Sequence, residues 1–463
     1  MKPSKKLTNF DLTIIVVSFV IGMGIFRTPI NVAQASGTPI LFFAAWLIGG
    51  AIAICGALTY AEIGSRMPGT GGYYQVIAYA YHPSIAFAVN CVILVSNAAS
   101  LAAVALVGAE YITGILIPLS QNAEWILDAG NASHLQTIQI TIAIFAIIVF
   151  FGVNLLGLKM SSRTQNVLTV VKVTMVILLI SPLFFASQST QVVVISASKN
   201  TPALIEYLKA FGVGLVAVSF TYGGYQQTIN FGEEVRNSKK TLPRSIFLGI
   251  AIIIILYLLI NYAYIKVIGF EELKTSKNIA AIMASKVFGV NAERILSGFL
   301  FLSVLGYVNV LLLSNPRVMA AMSEDKILPP SFSKRNRKTE ALTTSLSVFS
   351  ALCVLIIFWA KQFDKILSFT IFLDCFGMAF SAGSIFIIRK KTAYLDKTGI
   401  YKMKLYPLLP LIFIAAYAFV GISIAADYKN NNYAALTGLA VLAAFMIIYF
   451  VAKAVSNNSK IKM

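Results

Sequence analysis

Two hydrophobic stretches of this chain are interrupted by glycine at the depth where a membrane-spanning helix should be most regular. The first runs over 12–26 and contains Val20-Ile21-Gly22-Met23-Gly24-Ile25-Phe26; the second contains Phe220-Thr221-Tyr222-Gly223-Gly224-Tyr225. Glycine inside a helix costs about 1 kcal/mol relative to alanine. In lipid, every carbonyl or N–H freed by a break needs a new partner, so such a break persists only where it lines a cavity and meets something polar. A single break could equally let a neighbouring helix approach closely, as small residues do in membrane bundles. The pair says more. Gly-interrupted segments at corresponding positions of two halves point to a transporter built from inverted repeats. The two breaks lie five spans apart, so the second half crosses the membrane in the opposite sense. They are expected to face one substrate site.

Composition excludes a soluble domain: 58% of the 463 residues are apolar and 12% are charged. At about 20 residues per crossing, the hydropathy predicts twelve spans, at about 10–35, 38–62, 80–112, 136–154, 163–186, 203–232, 242–266, 292–321, 341–360, 365–389, 405–427 and 432–453. A Gly-rich turn is expected at 69–72 and one short surface helix within 269–289. The net charge of +19 does not signal nucleic acid, because Lys and Arg gather in the short connections on the side of the N-terminal tail. That bias predicts cytoplasmic N- and C-termini, in a multi-pass protein of the cytoplasmic (inner) membrane. No small-residue cleavage site follows the first apolar run, so no cleavable signal peptide is expected. Cys55, Cys91, Cys353 and Cys375 lie inside apolar spans and read as reduced packing residues; with His82 and His134 near span ends, no metal-ligand spacing appears. No cofactor is expected.

Further motifs fall in register with the two breaks. They are Asn154-Leu155-Leu156-Gly157, Glu233-Glu234-Val235-Arg236-Asn237 with Leu242-Pro243-Arg244-Ser245-Ile246, and Pro316-Arg317 with Ser323-Glu324-Asp325-Lys326-Ile327-Leu328-Pro329. Together with Gly22-Met23-Gly24-Ile25-Phe26 and Phe220-Thr221-Tyr222-Gly223-Gly224-Tyr225, they resemble the amino acid–polyamine–organocation transporter superfamily, in particular its L-type amino acid transporter branch. The resemblance implies an all-α, leucine-transporter-type fold of twelve spans in a single transporter domain. Residues 10–188 would form the first five-helix repeat, 203–391 the inverted second repeat, and 405–454 two appended helices.

An α-amino acid presents a carboxylate and an ammonium, and both must be met at the midplane. Half-helix N-termini offer free N–H groups and a positive dipole end, and unwound carbonyls face the ammonium. On this reading Met23, Gly24 and Ile25 supply N–H groups, Val20, Ile21, Phe220 and Gly223 supply carbonyls, and Thr221 lies in the same substrate site. The resemblance adds that the Phe220 ring closes over bound substrate. Met23 departs from the small residue usual in the family there, so it bears on substrate size.

Lys172 is a charge roughly 13 Å into its span at about 1.5 Å per residue, and a charged residue in a span interior is functional by default. By resemblance it stands where sodium-coupled relatives bind a cation, tethering span 5 to Ser18 of span 1 and Ser303 of span 8. Transport indifferent to sodium follows. Asp374, well inside span 10, either lines the pocket and favours polar or cationic substrates or pairs with a lysine. In animal L-type transporters a cysteine between spans 3 and 4 links an ancillary subunit; residues 119–135 contain none, so no disulfide-linked subunit is expected. The expected function is a secondary transporter moving amino acids by alternating access, as exchanger or proton (H+) symporter. A non-translocating receptor or a channel is the alternative. An integral membrane enzyme would need a cluster of His, carboxylates or metal ligands at one depth, and the sequence offers only scattered ones.

Overall fold

Long apolar runs leave the backbone little to bond with but itself, and the regular elements of the described residues are all helices. The computed structural model describes residues 7–69, 71–116, 132–184, 204–276, 279–359, 363–426, 428–429 and 433–461. In order the helices are α1 (Asn9–Val20), α2 (Gly24–Ser36), α3 (Pro39–Arg66), α4 (Gly72–Ala80), α5 (Pro83–Leu116), α6 (Ala132–Leu155), α7 (Leu158–Ile180) and α8 (Leu204–Tyr222). There follow α9 (Ser238–Val267), α10 (Phe270–Thr275), α11 (Ile279–Phe288), α12 (Val290–Glu324), α13 (Thr343–Trp359), α14 (Phe363–Lys391), α15 (Leu408–Ala426) and α16 (Ala434–Ile461). Among the described residues nine helices are long and apolar enough to cross a membrane. Counting α1 and α2, which meet at 41°, as one bent span makes ten.

Local chemistry sets the ends. Thr8 caps α1 reciprocally with Asp11, its hydroxyl taking the Asp11 N–H while the Asp11 carboxylate takes the Thr8 N–H. Gly37 ends α2 in the left-handed region at φ 66°, and Thr38 followed by Pro39 opens α3.

Residues 72–80, which the expected turn and spans leave largely unassigned, form α4, with Tyr73, Tyr74, Val76 and Ile77 buried and giving the segment an apolar face. One expectation needs correcting. The connection over 269–289 forms two helices, α10 and α11. Both pack on α2, and Phe270, Leu273, Ile279, Ala280 and Met283 are buried, which a free surface helix would not achieve.

Helix α5 is the centre of the bundle: 83% of its most apolar window is buried, against 17% for α16 at the periphery. It packs along α12 and α14. Helix α1 lies against α9 and α7, and α2 against α8, so the two interrupted stretches meet beside this core.

Candidate functional site

The break in the first stretch has a definite geometry. Ile21 N–H still bonds Val17 O at 2.8 Å, Gly22 N–H turns back onto Val20 O at 2.8 Å, and α2 restarts at Gly24. Met23 offers no side-chain cap, so the opening N–H groups of α2 lack the partner a cap would give. In the second stretch α8 ends at Tyr222, Gly223 N–H reaches Phe220 O at 3.3 Å, and a 3₁₀ turn follows over Tyr225–Asn230. Gly224 sits at φ 110°, and a Cβ there would stand 2.6 Å from Phe19 O, so only glycine fits this crossing of the two breaks.

Between the breaks lies a cavity of about 50 Å³. Of the residues expected at a substrate site, Val20, Met23, Gly24, Phe220, Thr221 and Gly223 line it, whereas Ile21 and Ile25 do not. Two carbonyls meant for the substrate's ammonium are already engaged. Val20 O accepts from the Tyr257 hydroxyl at 2.9 Å, and Ile21 O accepts from Lys172 Nζ at 2.8 Å. Each keeps a second lone pair. The glycines also differ in role. A Cβ on Gly24 would stand 3.0 Å from Thr221 Cα, so Gly24 brings α2 against α8. A Cβ on Gly223 would meet only the carbonyls of Ser219 and Phe220, at 3.2 and 3.4 Å. Thr221 is a structural bridge as well: its hydroxyl lies 2.6 Å from that of Thr28 on α2.

Lys172 is completely buried, which an unpartnered ammonium could not sustain. Its Nζ donates to Ile21 O, to Ser18 Oγ at 3.1 Å and to Ser18 O at 3.3 Å, all at the C-terminal end of α1. Ser303 is buried too, but its hydroxyl has no hydrogen-bond partner and it does not bond Lys172. The link to α12 runs instead through Gly306, where a Cβ would stand 2.7 Å from Lys172 Cε, and through Gln165. Gln165 Nε2 donates to Ser18 Oγ and to Gly306 O at 3.1 Å, and its Oε1 accepts from Asn309 Nδ2 at 2.7 Å.

The cavity wall also holds residues that motif reading did not reach. Asn97 and Ser100 come from α5, Gln226 and Gln227 from the 3₁₀ turn, and Tyr307 from α12, its hydroxyl 2.8 Å from Ser100 Oγ. Asp374 of α14 lines the cavity, accepts from Ser96 Oγ at 2.7 Å and forms no ion pair among the described residues. Its sequence signal, a carboxylate deep in an apolar run, was visible without its partner.

At the end of the bundle that carries Leu7, charges are stapled together. Arg66 Nε bonds Glu62 at 2.8 Å and its NH2 bonds Asp396 at 2.9 Å; Arg389 shares Glu62 at 3.0 Å. Leu7 pairs with the segment after the 3₁₀ turn through Glu234 O and Arg236 N–H, and Glu234 also bonds Arg317 at 2.8 Å.

A family model described as amino acid permease matches residues 7–456. The chain belongs to that family. The permease is thus a multi-pass membrane transporter of amino acids and not an enzyme. It is 29% identical over 448 residues to the serine/threonine exchanger SteT of Bacillus subtilis (strain 168), a match covering 94% of each chain. It is 26% identical to the cystine/glutamate transporter of Homo sapiens, over 96% of the permease and 85% of that protein. With the human large neutral amino acids transporter small subunit 2 the identity is 24%, over 94% of the permease and 78% of that protein.

Proposed function

We propose that this permease moves amino acids across the cytoplasmic (inner) membrane by alternating access, without sodium, as an exchanger or proton symporter. The reading includes twelve spans, with 10–188 and 203–391 as inverted five-helix repeats, 405–454 appended, helices broken at 20–24 and 222–225, and both termini cytoplasmic. The observation that carries it is Lys172 lodged at the broken end of α1, beside a cavity lined by both interrupted stretches. An ammonium there supplies a fixed positive charge at the end of α1, where it repels a sodium ion. Exchange is favoured over symport because two of the relatives, the serine/threonine exchanger and the cystine/glutamate transporter, bear names that describe it or name two substrates. We also take the permease to work without a disulfide-linked ancillary subunit. The loop at issue is largely outside the described residues, and this part of the reading rests on the absence of cysteine from 119–135.

Uptake into proteoliposomes tests it. Initial rates are expected to be unchanged when choline replaces sodium and to rise when amino acid is loaded inside. A saturable sodium dependence would overturn the sodium-free reading. Acceleration by an inward proton gradient, with no effect of internal amino acid, would make it a symporter.

A further inference from the structure

An amino acid held by its carboxylate and ammonium at the two breaks must point its side chain somewhere, and the rest of the wall comes from α5, α12, α14 and Tyr417 of α15. Two residues lining the cavity carry acceptor capacity that is not fully used. The first is Asp374. One of its oxygens accepts from Ser96 Oγ at 2.7 Å, and no Lys or Arg among the described residues pairs with it. A lone carboxylate at this depth is costly, and it becomes favourable when a donor arrives. The second is Gln227, which lines the cavity at 6% exposure and whose buried Oε1 has no partner.

The orientation of that amide is dictated by a relay. Asn315 Nδ2 donates to Leu311 O at 3.0 Å, which makes Asn315 Oδ1 the acceptor for Asn97 Nδ2 at 2.7 Å. Asn97 Oδ1 therefore accepts from Gln227 Nε2 at 2.9 Å, and Gln227 Oε1 is left over. A main-chain carbonyl at the far end thus fixes an acceptor, not a donor, at the near end. Leaving such a group buried and unpaired costs about 1–3 kcal/mol, so an apolar side chain arriving beside it gains nothing back.

We propose that Asp374 and Gln227 form the side-chain subsite of this cavity and select α-amino acids whose side chain donates a hydrogen bond, as a hydroxyl or an ammonium. This rests on the permease reading above. An ionised acidic side chain brings no donor to either acceptor. Tyr307, held by Ser100, closes the apolar remainder.

The test is competition for uptake in proteoliposomes by pairs alike in shape: threonine against valine, and 2,4-diaminobutyrate against norvaline. The donor member of at least one pair is expected to compete about tenfold better or more, the size of one hydrogen bond left unmade. Asp374→Leu or Gln227→Leu should erase the preference. Asp374→Asn keeps the shape and an acceptor, so it should weaken the ammonium competitor far more than the hydroxyl one; that arm tells the two chemistries apart even where a leucine variant does not insert. Valine and norvaline matching their partners in the wild type would overturn the subsite while leaving the permease reading intact. So would a preference that survives all three substitutions. A wild type that takes up no amino acid at all would bring down both.

Discussion

Lys172 and Arg66 are both fully buried cations, yet the chain satisfies them in opposite ways. Lys172 has no carboxylate within reach among the described residues. Its three acceptors are two carbonyls and a hydroxyl at the last turn of α1, where the helix presents the negative end of its dipole. Arg66 is held by full charges, Glu62 one turn back and Asp396 across the interface, while Glu62 also binds Arg389 and the Met403 N–H. One arrangement ties α3, α14 and the 392–403 segment into a fixed shape. The other exists only while α1 stops at Val20, because a straightened turn would take Ile21 O back into the helix. A transporter needs both: ends that hold, and a centre whose contacts depend on conformation.

The sharpest way to break this contrast is Arg66→Ala. Removing one partner from a buried charged cluster costs about 3–5 kcal/mol, so the detergent-solubilised protein should melt far lower or not fold. An unchanged melting curve would show that the cluster is not a staple. Lys172→Ala should cost less stability, since neutral acceptors are left behind, but more function. Uptake is expected to fall about tenfold or more, equivalent to about 1.4 kcal/mol on the barrier, while substrate affinity by direct binding changes little. Equal losses in both would place Lys172 among the ligand contacts. Gly306→Ala should reproduce part of that transport defect, because its Cβ would stand 2.7 Å from Lys172 Cε and push the flexible stem aside. Wild-type uptake in this variant would mean the ammonium has other seats.

The smallest effect concerns Asp396, about one-third exposed, whose carboxyl is held below the usual range by Lys402 and then by Arg66. A lowered folded-state value gives a contribution present above about pH 4 and lost as the pH falls through that value. Wild-type melting temperature should therefore dip slightly more than that of Asp396→Asn on acidification. Parallel curves would remove Asp396 from the staple.

How much of this could be read from the residues alone depended on whether a residue's reason was local. The end of α1 at Val20 and the start of α2 at Gly24 fall at glycines that stand out in an apolar run, and Lys172 stands out there as a charge. Gln165, Gly306 and Asn309 do not, since their meaning lies in contacts 141 to 148 positions away in the chain. Ser303 shows the converse: a plausible register position, yet a hydroxyl with no partner. Gly24 stood out as one of the two glycines of the first stretch, but the neighbour that leaves it no room for a side chain is Thr221. In the sequence Arg66 is one of many basic residues in the short connections, and only the fold brings Asp396 to it. Helix α4 at 72–80 went unassigned because nine residues behind a run of glycines are too short to stand out as a span.

The hydroxyl bridge between Thr28 and Thr221 joins half-helices contributed by opposite halves of the chain, and at Gly24 their backbones are nearly in contact. A tilt of α2 would have to carry α8 with it or break the Thr28–Thr221 contact, and both helices border the same cavity.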